Sequence, residues 1–79
     1  MRLAKSEQEL AVRASRFLKA ELKRAGVTYE ELANRLKKHG LDETRNSVAA
    51  KLKRGTFAAT FMLACLAALE LEIVRLEDI

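Results

Sequence analysis

Apolar residues recur at the spacing of an amphipathic helix over three stretches of the chain. These stretches cover residues 10–25, 29–36 and 48–52, and in each the apolar positions return every three or four residues. A fourth stretch, residues 57–69, is apolar almost all round, so other parts of the protein must cover most of it. The pattern predicts a compact all-α domain of four to five helices.

The residues at the ends of these stretches are ones that commonly begin and end helices. Ser6 and Thr28 each stand three residues before a glutamate, which is the arrangement of a capping box. The expected N-caps, all with a side-chain oxygen, are Ser6, Thr28, Asp42 and Thr56. The expected helix stops, all glycines, are Gly26, Gly40 and Gly55.

The last segment, residues 69–79, fits two structures. Apolar and acidic residues alternate over residues 69–73, which is the period of a β-strand. Leu69, Ile73 and Leu76 also fit one face of a helix. An otherwise helical chain offers a lone strand no partner, so a strand here would pair with the same strand of a second subunit. We favour the short strand, paired across a dimer.

Charge is unevenly spread along the chain, which has 79 residues and is expected to form one domain. Residues 1–55 hold 14 Lys and Arg against seven Asp and Glu, whereas residues 56–79 hold one Arg against four Asp and Glu. A basic body with an acidic tail indicates a polyanionic partner for the body. The alternative is that the charge only keeps a helical surface in solution.

Other kinds of chemistry find little support in the sequence. Cys65 and His39 are the only residues of their types, so neither a disulfide within the chain nor a zinc cluster is expected. There is no glycine-rich phosphate loop. The apolar run of residues 57–69 is too short to span a bilayer, and the first residues lack the apolar core of a signal peptide. We therefore expect a cytoplasmic protein that is not an enzyme, has no cofactor and does not associate with a membrane.

Two segments resemble the lambda-repressor/Cro-like helix-turn-helix family. They are "GVTYEELANRL", residues 26–36, and "AAKLKRG", residues 49–55, which are similar to the start of the motif and to the recognition helix. "TFAATFMLACLAALE" takes the place of the core helices that follow. The pattern also resembles a group of small uncharacterised bacterial domains. The resemblance implies a helix-turn-helix over residues 28–54 and a bacterial transcriptional regulator that inserts the helix at about residues 43–54 into the major groove.

The turn between the two helices is longer than the family pattern. Lys37 stands where the family has a glycine, and the nearest glycine is Gly40. Val48 lies 15 residues after Ala33. The longer turn favours an alternative function, a protein-interaction module of the adaptor or antitoxin-like kind that keeps the fold without specific DNA binding.

The candidate DNA contacts lie at the start of the second helix and along the third. They are Thr28, Thr44, Arg45, Asn46, Ser47, Ala50, Lys51, Lys53 and Arg54. Asn46 suits adenine, Arg45 and Arg54 suit guanine or phosphate, and lysines suit phosphate. Each also has a structural alternative, since Asn46 and Ser47 near a helix start can satisfy the backbone and exposed cations are commonly only solvated.

A homodimer would place two recognition helices about one DNA turn apart. We expect its interface in residues 56–79, the core helix and dimerisation tail, while residues 1–5 form an N-terminal tail. The expected interface residues, all apolar, are Phe61, Leu69, Leu71, Ile73, Val74 and Leu76.

Overall fold

The computed structural model describes all residues from 1 to 79, and it contains four α-helices and no β-strand. The helices are α1 (Glu7–Ala25), α2 (Tyr29–Lys38), α3 (Arg45–Arg54) and α4 (Ala59–Ala68), followed by a short 3₁₀ turn at Leu76–Asp78. The chain measures 34 × 24 × 20 Å along its principal axes. The expected compact all-α fold is confirmed.

The first two helices begin at the residues that the sequence predicts. Ser6 Oγ accepts a hydrogen bond from the Glu9 N–H, and Thr28 Oγ1 accepts one from the Glu31 N–H, both at 3.1 Å. The carboxylate of Glu9 accepts from the Lys5 N–H at 2.8 Å, one residue before the N–H that a capping box would use. Gly26 ends α1 in the left-handed conformation, with φ of 68°.

The starts of α3 and α4 differ from the predictions. The N-cap of α3 is Thr44 and not Asp42, because the Thr44 and Ser47 side chains bond to one another's backbone N–H. Helix α4 begins after Ala58, which has no side-chain oxygen, and not after Thr56. Phe57, before the helix, packs on Phe61 in the first turn of α4, with the ring centroids 5.1 Å apart.

The predicted C-terminal strand is absent from the structure. Residues 69–75 form neither helix nor strand, and Glu70 adopts a φ of 60°. Leu71, Val74 and Ile79 are partly buried against the core of the chain. A strand needs a neighbour for its backbone hydrogen bonds, and no segment of this chain supplies one.

The core is built by all four helices, with α2 packed against both α3 and α4, and α3 packed against α1. Its most deeply buried side chains are Phe61, Leu18, Leu32, Leu36, Leu52, Val48 and Cys65. At the crossing of α1 and α3, Ser15 Oγ donates a hydrogen bond to the Leu52 carbonyl. Arg35 on α2 donates to the Ala68 carbonyl at the end of α4, at 2.9 Å. Helix α3 therefore lies against both α1 and α2, and its other side is open to solvent.

Candidate nucleic-acid interface

The start of α3 is held by reciprocal hydrogen bonds between Thr44 and Ser47. The Ser47 N–H donates to Thr44 Oγ1 at 3.1 Å, and the Thr44 N–H donates to Ser47 Oγ at 2.8 Å. Ser47 Oγ in turn donates to Glu43 Oε1 at 2.6 Å. The Ser47 hydroxyl is thus used inside the chain, so a contact from it to a base would compete with these bonds.

Lys51 is also turned towards the chain. Its Nζ bonds to the Glu43 carboxylate and lies 5.0 Å from the centroid of the Phe61 ring. Glu43 is buried, with 6% of its surface exposed. Burial would raise the pKa of Glu43, but the hydrogen bonds from Lys51 and Ser47 and the charge of Lys51 outweigh it and hold the pKa below its ordinary value. The carboxylate therefore neutralises much of the charge that Lys51 could offer to a phosphate.

The other candidate contacts are exposed to solvent. They are Thr28, Thr44, Arg45, Asn46, Ala50, Lys53 and Arg54. The hydroxyls of Thr28 and Thr44 accept hydrogen bonds as helix caps, so they are partly used already. None of the three arginines and lysines among them forms an ion pair.

The structure divides these residues between the two ends of α3. Arg45 and Asn46, at the N-terminal end, line a cleft of about 390 Å³ together with Asn34 and Lys37 of α2. This cleft also contains Glu30 of α2. Amide and guanidinium groups at the N-terminal end of an exposed helix can form the paired hydrogen bonds that distinguish bases.

Lys53 and Arg54, at the C-terminal end of α3, line a different cleft with α1. This cleft has a volume of about 570 Å³ and includes Arg16, Lys19 and Lys23. Sequence reasoning missed these α1 residues because it used the first helix only for its apolar stripe. Their spacing of three and four residues, which places cations on one helical face, was the signal that could have found them.

The residues expected at a dimer interface have very different exposures. Phe61 and Leu69 belong to the core of the single chain, and Leu71 and Val74 are partly buried against it. Only Ile73 and Leu76 are open, with 80% and 63% of their surface exposed. Leu63 on α4, which the sequence analysis did not select, is 65% exposed. The apolar surface that the single chain leaves uncovered is therefore smaller than expected and lies partly on other residues.

The remaining reactive side chains lie apart from these clefts. Burial raises the pKa of the Cys65 thiol to about 12, and the negative charge of Glu43 adds to this effect while Lys51 opposes it. The thiol is thus protonated near neutral pH. No three His, Cys, Asp or Glu side chains come close enough together to hold a metal ion. None of the helices combines the length and apolar character needed to cross a membrane.

The chain is a small four-helix domain whose third helix exposes basic and amide side chains. It belongs to the family described as a domain of unknown function, DUF6471, which matches residues 10–74. The match includes the whole of α2, α3 and α4 and most of α1. No curated protein and no solved structure matches the chain. Membership of this family assigns no activity.

Proposed function

We propose that the chain is a DNA-binding protein, a transcriptional regulator acting in the cytoplasm, in which α2 and α3 form a helix-turn-helix. The observation that carries the proposal is the open side of α3, where Arg45, Lys53 and Arg54 are exposed and form no ion pairs. A helix of this kind fits the major groove of duplex DNA, where base edges differ. Unpaired cations beside it attract the phosphates.

The two ends of α3 have different parts in this proposal. Arg45 and Asn46 contact base edges, with Arg45 suited to guanine and Asn46 to adenine. Ala50, in the middle of the exposed side, has a small side chain that lets α3 approach the groove closely. Lys53 and Arg54 contact the DNA backbone. Thr28 begins α2, whose first N–H groups point to a neighbouring phosphate.

We propose a role for Ser47 and Lys51 other than the expected DNA contact. Through Glu43 they join the loop before α3 to the helix itself, so they set the orientation of Arg45 and Asn46. We therefore assign them a positioning role in place of a DNA contact.

A homodimer completes the proposal. Two copies of α3 about one DNA turn apart, roughly 34 Å, would read two half-sites. Among the exposed apolar side chains of the molecule, Leu63, Ile73 and Leu76 lie in residues 56–79, and a second copy would cover them there. The acidic residues after residue 55 lie in the same C-terminal segment as Ile73 and Leu76. In the dimer this segment would stay away from phosphate.

Selection of bound fragments from a random duplex library at about 150 mM salt tests the proposal, because affinity for polyanions in general falls steeply with salt. We expect a two-half-site sequence to be enriched. Arg45→Gln should lose the preference at one base pair per half-site, corresponding to about 1–3 kcal/mol. Arg75→Gln, the same charge change on the acidic tail, should retain it.

Absence of an enriched sequence would contradict the proposal. A protein-interaction module would then be the better assignment, and the exposed Leu63, Ile73 and Leu76 are the observation that favours it. Enrichment of a single half-site, with no second one at a fixed distance, would contradict the dimer alone.

A further inference from the structure

The cleft between α1 and the end of α3 concentrates positive charge. Arg16, Lys19 and Lys23 come from α1, and Lys53 and Arg54 come from α3. All five side chains are exposed, and no carboxylate lines the cleft. Like charges that line one cleft repel one another, so their mutual interaction does not stabilise the free protein.

The cations of this cleft also lack partners elsewhere. Of the 15 Lys and Arg residues, five form ion pairs. Five of the remaining ten line this one cleft. The three glutamates of α1 do not neutralise them, because Glu9 pairs with Arg13, Glu21 pairs with Arg24 and Glu7 forms no ion pair. The charge of the cleft is therefore available to a ligand.

Helix dipoles explain only part of the cluster. Lys23, Lys53 and Arg54 lie in the last turns of their helices, where cations are favourable in any protein. Arg16 and Lys19 lie in the middle of α1, where the dipole provides no such stabilisation. The helix dipole therefore does not account for their position on the same helical face as Lys23.

The dimensions of the α1 row suit a nucleic-acid backbone. Residues 16 and 23 are about 10 Å apart along the helix axis. One strand of duplex DNA carries a phosphate for each 3.4 Å or so of its axis, so the row faces about three phosphates. The cleft also contains the small side chains of Ala11 and Ala20 and, before the row of cations on α1, those of Gln8 and Val12. Ser15 is committed to the Leu52 carbonyl.

We infer that this cleft binds the phosphate backbone of duplex DNA beside the groove that α3 enters. The inference rests on the proposed function and extends it, because it adds Arg16, Lys19 and Lys23 to the interface. It also assigns different roles to the two ends of α3. The N-terminal end reads bases, whereas the C-terminal end and α1 together supply affinity that is independent of sequence.

The test is a triple variant, Arg16→Gln, Lys19→Gln and Lys23→Gln, in the full chain. Glutamine is a good helix former, so α1 should be retained, which far-UV circular dichroism checks. The matched control is Arg2→Gln, Lys5→Gln and Lys38→Gln. It removes the same number of arginines and lysines from exposed, unpaired positions outside the cleft. Dissociation constants are measured against salt for the selected duplex, a scrambled duplex and a single-stranded RNA of equal length.

We expect the α1 variant to bind both duplexes about 10- to 100-fold more weakly while the ratio between them stays unchanged. The slope of log affinity against log salt should become shallower by about 2–3, since each lost phosphate contact accounts for about 0.9. The control variant should change affinity much less.

The failures are distinguishable. If the wild type binds no duplex, the proposed function fails, and this inference fails with it. If the wild type binds but both triple variants behave alike, the α1 cleft is not a phosphate site, while the proposed function stands. A change in the ratio of affinities for the selected and scrambled duplexes in the α1 variant would contradict a backbone role. The wild type could also bind the RNA as tightly as the duplex, and the α1 variant could lose affinity for both equally. That result would overturn duplex DNA as the ligand.

Discussion

The carboxylate of Glu43 connects the loop before α3 with the middle of that helix. It is buried and accepts hydrogen bonds from Ser47 and from Lys51, whose ammonium group lies over the Phe61 ring. Burying a carboxylate lowers the stability of the folded chain unless the carboxylate is paired with a cation and hydrogen-bonded. Glu43 meets both conditions. Removing the charge of Glu43 would also leave the ammonium group of Lys51 without its ion-pair partner.

We predict that Glu43→Gln lowers the free energy of unfolding by about 1–3 kcal/mol near neutral pH. Glutamine keeps the size of the side chain but loses the charge that pairs with Lys51. Chemical denaturation measures the change, and Glu72→Gln, at an exposed glutamate that forms no ion pair, is the control. An equal effect of the two substitutions would contradict the assigned role of Glu43.

The effect of Glu43 should also depend on pH in one direction. Because the folded chain holds the pKa of Glu43 below its ordinary value, the stabilisation is present above that ordinary value. It is lost as the pH falls through the lowered pKa of the folded state. The difference in stability between wild type and Glu43→Gln should therefore shrink in acid. A difference that grew on acidification would show that Glu43 is not stabilised as a carboxylate.

At the scale of the helices, local chemistry determined what the sequence could predict. Ser6 and Thr28 were found because each cap needs only a side chain and an N–H three residues later. Thr44 was missed because its advantage over Asp42 comes from the returning bond of Ser47. The start of α4 at Ala59 was missed because its N-cap, Ala58, has no side-chain oxygen that would mark it in the sequence.

The candidate site was harder to predict than the helices. The sequence indicates Lys51 as a candidate phosphate contact on the third helix, but it does not show that Glu43 folds back to meet it. Likewise, the proximity of Lys53 to Lys19 requires the crossing of α1 and α3, which joins residues far apart in the chain. The sequence thus identified the exposed face of α3, and tertiary packing decided which side chains on it are free.

The crossing of α1 and α3 depends on Gly55. A Cβ at this position would collide with the carbonyl of Ala11, and the backbone has a φ of 76°. We predict that Gly55→Ala destabilises the chain by at least about 2 kcal/mol, because steric overlap adds to the roughly 1–2 kcal/mol of left-handed strain. Thermal and urea unfolding measure this difference.

Gly26→Ala is the control for that substitution. Gly26 has a similar φ of 68°, but no atom lies within 4 Å of the position of a Cβ. It should therefore show the strain without the collision. Equal losses at the two glycines would mean that α3 can shift on α1 without cost.

At the scale of the whole molecule, one core joins all four helices and the final segment. A chain of this size has a free energy of unfolding of about 4–12 kcal/mol. Because no helix has a core of its own, we predict a single cooperative unfolding transition. Far-UV circular dichroism and the fluorescence of Tyr29, the only tyrosine, should give the same midpoint. Separate midpoints would show that part of the chain unfolds independently.

Substitutions of two leucines with different exposures test the prediction of a single unfolding transition through the size of the stability loss. Leu36 has none of its surface exposed, whereas Leu63 is 65% exposed. Leu36→Ala should remove about 2–5 kcal/mol, a large part of the total, and both spectroscopic probes should report the same loss. Leu63→Ala, measured at low protein concentration where a dimer is dissociated, should stay within about 0.5 kcal/mol of the wild type. A comparable loss at Leu63 under those conditions would mean that the single chain covers this side chain in solution, and α4 would then have no apolar surface to offer a second copy.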